Sequence, residues 1–241
     1  MPADLTQPQA TDEPLVLDIP EKSLVLLIGV SGSGKSTFGR AHFGTYEVIS
    51  SDFARGLVSD DENDQAATKD AFDVLRYIAG KRLEGGRLTV IDATNVQPEA
   101  RRTLVALAKE HNVLPVAIVL DLPEAVCVRR NAGRRDRDFG PQVVKRQHDQ
   151  LKRSLRGLGK EGFRKVHVLQ SEADIARATI VRTKLLNDHR EVHGPFDVIG
   201  DVHGCRSELE SLLHQLGYAI ERDEEGRPID AVHPEGRQVI F

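Results

Sequence analysis

At 241 residues the chain is long enough for one α/β domain and somewhat more, and 39% hydrophobic with 29% charged residues excludes a fibrous or low-complexity polypeptide. A formal net charge of −4 excludes a polyanion footprint spread over the whole surface, so any nucleic-acid site must be local. Cys127 and Cys205 make neither a disulfide framework nor a paired metal motif, no apolar run reaches a membrane span, and the polar start resembles no signal or transit peptide, so a cytoplasmic location is expected.

Residues 1–20 are expected to be a disordered N-terminal lead. The apolar run 23–28 reads as a buried strand and opens into Gly-Val-Ser-Gly-Ser-Gly-Lys-Ser-Thr, residues 29–37, ahead of a helix over 38–43. This fits the Gly-x-x-x-x-Gly-Lys-Ser pattern. Its backbone N–H groups, curled around Gly29, Gly32 and Gly34, and the helix N-terminus behind them form a cradle for phosphates. Gly29, Ser31, Gly32, Ser33, Gly34, Lys35, Ser36 and Thr37 are the expected ATP-binding residues, with Lys35 on the β and γ phosphates and Ser36 on Mg²⁺.

Strands are expected at 46–50, 88–92, 113–120 and 165–169, and helices at 66–83, 98–111, 123–131, 141–158 and 172–185. Strands alternating with helices predict an α/β fold, a doubly wound parallel sheet with helices on both faces, over residues 21–186. Polar residues with Gly194 and Pro195 mark a linker over 187–195, and residues 196–241 begin a second unit, with a strand running into Gly-Asp-Val-His-Gly and a helix over 208–216 behind it. The segment 238–241 looks like the start of a further strand, so the chain is expected to be a fragment of a longer protein.

Ligands of an open parallel sheet bind beyond the carboxyl ends of its strands. Asp52, just past the second strand of the unit, can accept the proton of an attacking hydroxyl, or it can be the N-cap of the helix that follows; both readings stand on the pattern alone. Arg55 lies one turn further on the same side, suited to an acceptor's phosphate. Asp92, ending an apolar strand, has the place of the acidic residue that holds Mg²⁺ or its water, while Thr94 and Asn95 fit an acceptor site or a plain turn. A run of arginines including Arg130 and Arg134, flanked by Gly133 and Gly140, is built like a lid whose cations neutralise charge on a transferred phosphoryl group.

Taken in order, the P-loop, Ser-Ser-Asp-Phe-Ala-Arg at 50–55, Val-Ser-Asp-Asp-Glu-Asn-Asp-Gln at 58–65, Asp-Ala-Thr-Asn at 92–95, the arginine lid and Phe-Asp-Val-Ile-Gly-Asp-Val-His-Gly at 196–204 resemble bacterial polynucleotide kinase-phosphatase, an RNA-repair enzyme. The resemblance implies transfer of the γ-phosphate of ATP to the 5′-hydroxyl of an RNA or DNA end. It makes Lys35, Asp52, Arg130 and Arg134 catalytic, with Asp52 the general base, Arg55 the grip on the acceptor, and Ser36 and Asp92 the residues at Mg²⁺. The partners it implies are a polynucleotide end and RNA-repair proteins, with a homodimer left open and no membrane. Asp201 and His203 match the first motif of binuclear metallophosphoesterases, which would bind Mn²⁺ or a similar metal. The later Gly-Asp-x-x-Asp and Gly-Asn-His motifs do not follow, so phosphatase activity is not expected of residues 196–241. The alternatives are a small-molecule kinase of the gluconate or shikimate sort, and a non-catalytic nucleotide-binding module attached to a phosphoesterase.

Overall fold

The computed structural model describes residues 13–133, 140–185 and 191–241, and the chain divides into two units, 1–185 and 186–241. In the first unit the strands are β1 (Leu15–Pro20), β2 (Ser23–Ile28), β3 (Val48–Ser50), β4 (Thr89–Asp92), β5 (Leu114–Leu120), β6 (Lys165–Leu169) and β7 (Ala178–Thr183). Its helices are α1 (Lys35–His42), α2 (Ser51–Ser59), α3 (Thr68–Glu84), α4 (Pro98–Glu110), α5 (Glu124–Ala132), α6 (Pro141–Leu155) and α7 (Glu172–Arg177).

Five strands form one parallel sheet in the order β3-β4-β2-β5-β6. Every residue of β2 is buried, as a central strand covered on both faces requires. Its side chains alternate between two cores. Leu24, Leu26 and Ile28 pack with residues of α3, α4 and α6, whereas Val25 and Leu27 pack with Phe38 of α1. Register then fixes the site: Leu27 pairs with Asp92, and Asp92 with Ser50, so β2, β3 and β4 all end at one edge of the sheet. The phosphate loop, the start of α2 and the Asp92 carboxylate leave from that edge together.

Two expectations are corrected. Residues 15–20 are not a disordered lead but strand β1, and residues 178–183 are not helix but strand β7, paired with β1 in parallel from Leu15–Ala178 to Pro20–Thr183. The reasons are local. Leu17 and Ile19 alternate with Val16 and Asp18, a period of two, and Thr179, Ile180, Val181 and Thr183 are β-branched residues that lose rotamer freedom in a helix. This two-stranded ribbon buries Leu17, Ile19 and Ala178 on the same face of the sheet as α1, where the sequence implied a helix. Helix α7 therefore ends after six residues, closed at its start by the Ser171–Asp174 capping box.

In the second unit, β8 (Phe196–Val198) pairs in parallel with β11 (Gln238–Ile240), helix α8 spans Arg206–Gln215, and β9 (Ala219–Arg222) pairs antiparallel with β10 (Pro228–Val232). The β9–β10 hairpin is absent from the sequence reading; its turn signal is Asp223 to Gly226, where Gly226 takes φ +76°. Asp197 on β8 accepts from Tyr218 Oη and Arg237 Nε, both at 2.8 Å. Those contacts, chiefly the Arg237 guanidinium, hold its carboxyl at about 2.

Candidate nucleotide and phosphoacceptor cleft

The phosphate loop is held in shape by its neighbours as well as by its glycines. Gly32 and Gly34 have φ +81° and +97°, and a Cβ on Gly32 would stand 2.2 Å from the Cys127 carbonyl oxygen of α5, so only glycine fits. Gly34 is the N-cap of α1 and supplies no side-chain cap, which leaves the first N–H groups of the helix to a ligand. Lys35 runs back along the loop and donates to the carbonyls of Gly29 at 2.8 Å and Val30 at 2.9 Å. Ser31 Oγ and Ser33 Oγ are buried without a hydrogen-bond partner among the described residues. Orphaned hydroxyl donors in a loop that leads into a helix N-terminus fit a phosphate chain.

The loop opens into a cleft of about 1540 Å³ that runs on past Ser36, Thr37, Asp92 and Thr94 to Asp52, Arg55 and Glu62. Asp92 is buried at the end of β4 and lines the cleft with Ser36, a hydroxyl and a carboxylate of the kind that hold Mg²⁺ or its water. The structure answers the ambiguity over Asp52. Ser50 is the N-cap of α2 and its side chain accepts from the Phe53 N–H at 3.4 Å, so Asp52 sits inside the first turn and is not the cap. Its carboxylate faces Arg55 instead, Nη2 to Oδ1 3.1 Å.

Arg55 is 7% exposed. Its Nη1 donates to the Glu62 carbonyl, and its Nε has no partner among the described residues. Burial pushes the guanidinium pKa down, while Glu62, Asp64 and Asp61 on the following loop act against that and favour the cation. Thr94 lines the cleft as one sequence reading allowed, whereas Asn95 is buried with its amide donating to the Leu27 carbonyl at 2.9 Å, which makes it part of the sheet's frame.

Arg130, on α5, lines the cleft beside the loop: a Cβ on Gly34 would lie 3.4 Å from its Nη1, and Nη2 pairs with Glu172 at 2.6 Å. Arg134 lies outside the described residues. Sequence reasoning missed Gln147 of α6, whose Oε1 accepts the Ser31 N–H at 2.8 Å and which also lines the cleft. A single amide side chain on a long basic helix carries no signal that would have singled it out. In the second unit Asp201 and His203 stand together, Oδ2 to Nε2 2.8 Å, both exposed. Among the described residues no group of three His, Cys, Asp or Glu side chains gathers there or elsewhere, so this pair alone does not fit a two-metal centre.

Among known proteins, a stretch of 203 residues is 28% identical to "Transcription factor bHLH140" of Arabidopsis thaliana, covering 83% of this chain and 20% of that protein. A stretch of 46 residues is 46% identical to the bis(5′-nucleosyl)-tetraphosphatase PrpE of Halalkalibacterium halodurans, 19% of this chain and 16% of that one. The chain thus spans a fifth or less of the length of these curated relatives. Among solved structures, a chain of the Pnkp1/Rnl/Hen1 RNA repair complex superposes with a TM-score of 0.51 at 20% identity, over 58% of this chain and 47% of that one. That likeness shows the fold, an open parallel α/β sheet, and the Gly-x-x-x-x-Gly-Lys-Ser loop on it implies a nucleotide ligand and the Mg²⁺ that accompanies it. Residues 24–158, more than half of the sequence, match the AAA domain family, and the chain belongs to that family.

Proposed function

We propose that residues 21–186 form an ATP-dependent kinase acting on the 5′-hydroxyl end of a polynucleotide, and that residues 196–241 are the first part of a metallophosphoesterase domain. The observation that carries the kinase reading is the placement of Asp52. A carboxylate freed from capping by Ser50 stands in one cleft with the phosphate loop, Asp92 and Arg55. Phosphoryl transfer needs little more than positioning, charge neutralisation and a proton acceptor for the attacking hydroxyl. In this reading Lys35 and the loop N–H groups hold the phosphates of ATP, and Ser36 and Asp92 hold Mg²⁺, which would neutralise charge on the β and γ oxygens. Asp52 takes the hydroxyl proton, Arg55 meets the phosphate beside the reacting nucleoside, and Arg130, with Arg134, meets the phosphoryl group in flight.

Support for a polynucleotide comes from the ordered motifs of the sequence and from the fold shared with a chain of an RNA repair complex. The 46-residue likeness to PrpE, by name a tetraphosphatase, supports the second part of the proposal. The deciding assay supplies labelled ATP with a 5′-hydroxyl oligonucleotide, its 5′-phosphorylated twin, and gluconate. Label is expected in the first alone. Equal labelling of gluconate and the oligonucleotide would put a small-molecule kinase in its place, and ATP binding with no transfer at all would leave a nucleotide-binding module.

A further inference from the structure

The Asp52–Arg55 contact has the form of a gate on the proposed reaction. Three observations bear on it. The guanidinium that should grip a phosphate is paired with the carboxylate that should act as base, at 3.1 Å. The same guanidinium keeps one donor, Nε, buried in the cleft wall with no partner among the described residues, although such groups are costly to leave unmet. Among the described residues its other partner is a backbone carbonyl, that of Glu62, on the loop between α2 and α3. A carboxylate beside a guanidinium is a weaker proton acceptor than one standing apart, and a phosphate is a better partner for that guanidinium because it can accept from Nε and an Nη together.

We propose that Arg55 restrains Asp52 until an acceptor carrying a phosphate draws the guanidinium away, so that the phosphate next to the reacting nucleoside switches the base on as well as binding the acceptor. The inference rests on the kinase reading of the cleft and adds its regulation. With the guanidinium turned to the phosphate, the 5′-hydroxyl proton passes to an Asp52 oxygen. The O5′–P bond then forms as the bond from the γ-phosphorus to the ADP oxygen breaks. A nucleoside that lacks the phosphate finds Asp52 still paired with Arg55.

A plain grip and a gate differ in where they act. A grip alone makes a phosphate-free acceptor bind weakly, raising KM and leaving the rate at saturation unchanged; a gate lowers kcat. The test compares thymidine, thymidine 3′-phosphate and a 5′-hydroxyl oligonucleotide as acceptors for ATP, in the wild-type protein and in Arg55→Gln. In the wild type, thymidine is expected to have a kcat about 10- to 100-fold below that of thymidine 3′-phosphate, the range that weakening a general base spans. Inorganic phosphate added separately should raise the thymidine rate in the wild type, a result that depends on no variant folding. In Arg55→Gln, with ATP affinity and melting temperature measured alongside, the thymidine kcat should rise above the wild-type value and the response to phosphate should vanish. If wild-type turnover of thymidine is too slow to detect, its appearance in Arg55→Gln upholds the gate and its absence there overturns it. Equal kcat for the two thymidine acceptors, with the difference confined to KM, or a phosphate-independent thymidine rate in the wild type, would also overturn it. An oligonucleotide that takes no label overturns the kinase reading itself, whereas an oligonucleotide that is labelled while the kcat values are equal removes only the gate.

Discussion

Ser50 and Asp52 are two residues apart and both could cap a helix, yet their consequences separate cleanly. Ser50 carries the cap, so Ser50→Ala should lower stability by about 1 kcal/mol, the usual loss for an N-cap serine, measured by urea unfolding. Asp52→Asn leaves that cap in place and keeps the side chain's shape, but it removes the proposed proton acceptor. The expected result is a kcat lower by roughly 10²-fold or more with ATP affinity retained. Turnover near the wild-type rate in Asp52→Asn would show that the carboxylate serves the structure of the cleft and not proton transfer. The motif told where Asp52 is but not whether it caps the helix, because capping depends on a hydrogen bond between a side chain and an N–H three residues on. Serine and aspartate make that bond equally well, so the sequence Ser-Ser-Asp leaves the choice to backbone geometry.

Elements were legible where their neighbours are few and opaque where a distant partner decides. The run that became β2 and the Gly-Lys-Ser signature reveal strand and loop on local grounds, although α1 begins at Lys35, three residues before the expected 38. Helix α4, which starts with Pro98, came out within one residue for the same reason. The ribbon of β1 and β7 did not, since the sheet partner of each strand among the described residues lies more than 150 residues away and neither is long enough to declare itself. Ile19 tests that correction. It has no solvent exposure and packs in the core beneath α1, so Ile19→Ala should cost about 2–5 kcal/mol in urea or thermal unfolding. A disordered lead would lose nothing by the same change. The Asp201–His203 pair was equally legible as a pair, and its chemistry follows from its number: two ligands cannot hold two metal ions. The 241-residue polypeptide should not hydrolyse p-nitrophenyl phosphate with Mn²⁺, and hydrolysis that disappears in His203→Ala would contradict that.

Across the whole chain, charge sets how a polynucleotide could be held. With 37 acidic residues against 33 lysines and arginines, the formal charge is −4, and Asp61, Glu62 and Asp64 lie close enough to Arg55 to act on its guanidinium. A chain of that charge has no excess of cations to spread along a strand, so affinity for the acceptor is expected to come from a few local cations, with Arg55 the one in the cleft proposed to meet it. Each phosphate neutralised releases less than one counterion from a single strand, and the logarithm of the association constant should fall with the logarithm of salt concentration at a slope of about one to three. Arg55→Ala should flatten that slope by about one and raise KM for the oligonucleotide while leaving KM for ATP nearly unchanged, because its proposed partner belongs to the acceptor. Arg130→Ala should leave the slope for the oligonucleotide close to the wild-type value and lower kcat, because its proposed partner is the phosphoryl group and its place is against Gly34 of the phosphate loop. A steep slope of eight or ten would mean that phosphates are bound along a surface outside the cleft, and an Arg55→Ala protein weakened equally toward ATP and oligonucleotide would move that arginine from the acceptor to the donor.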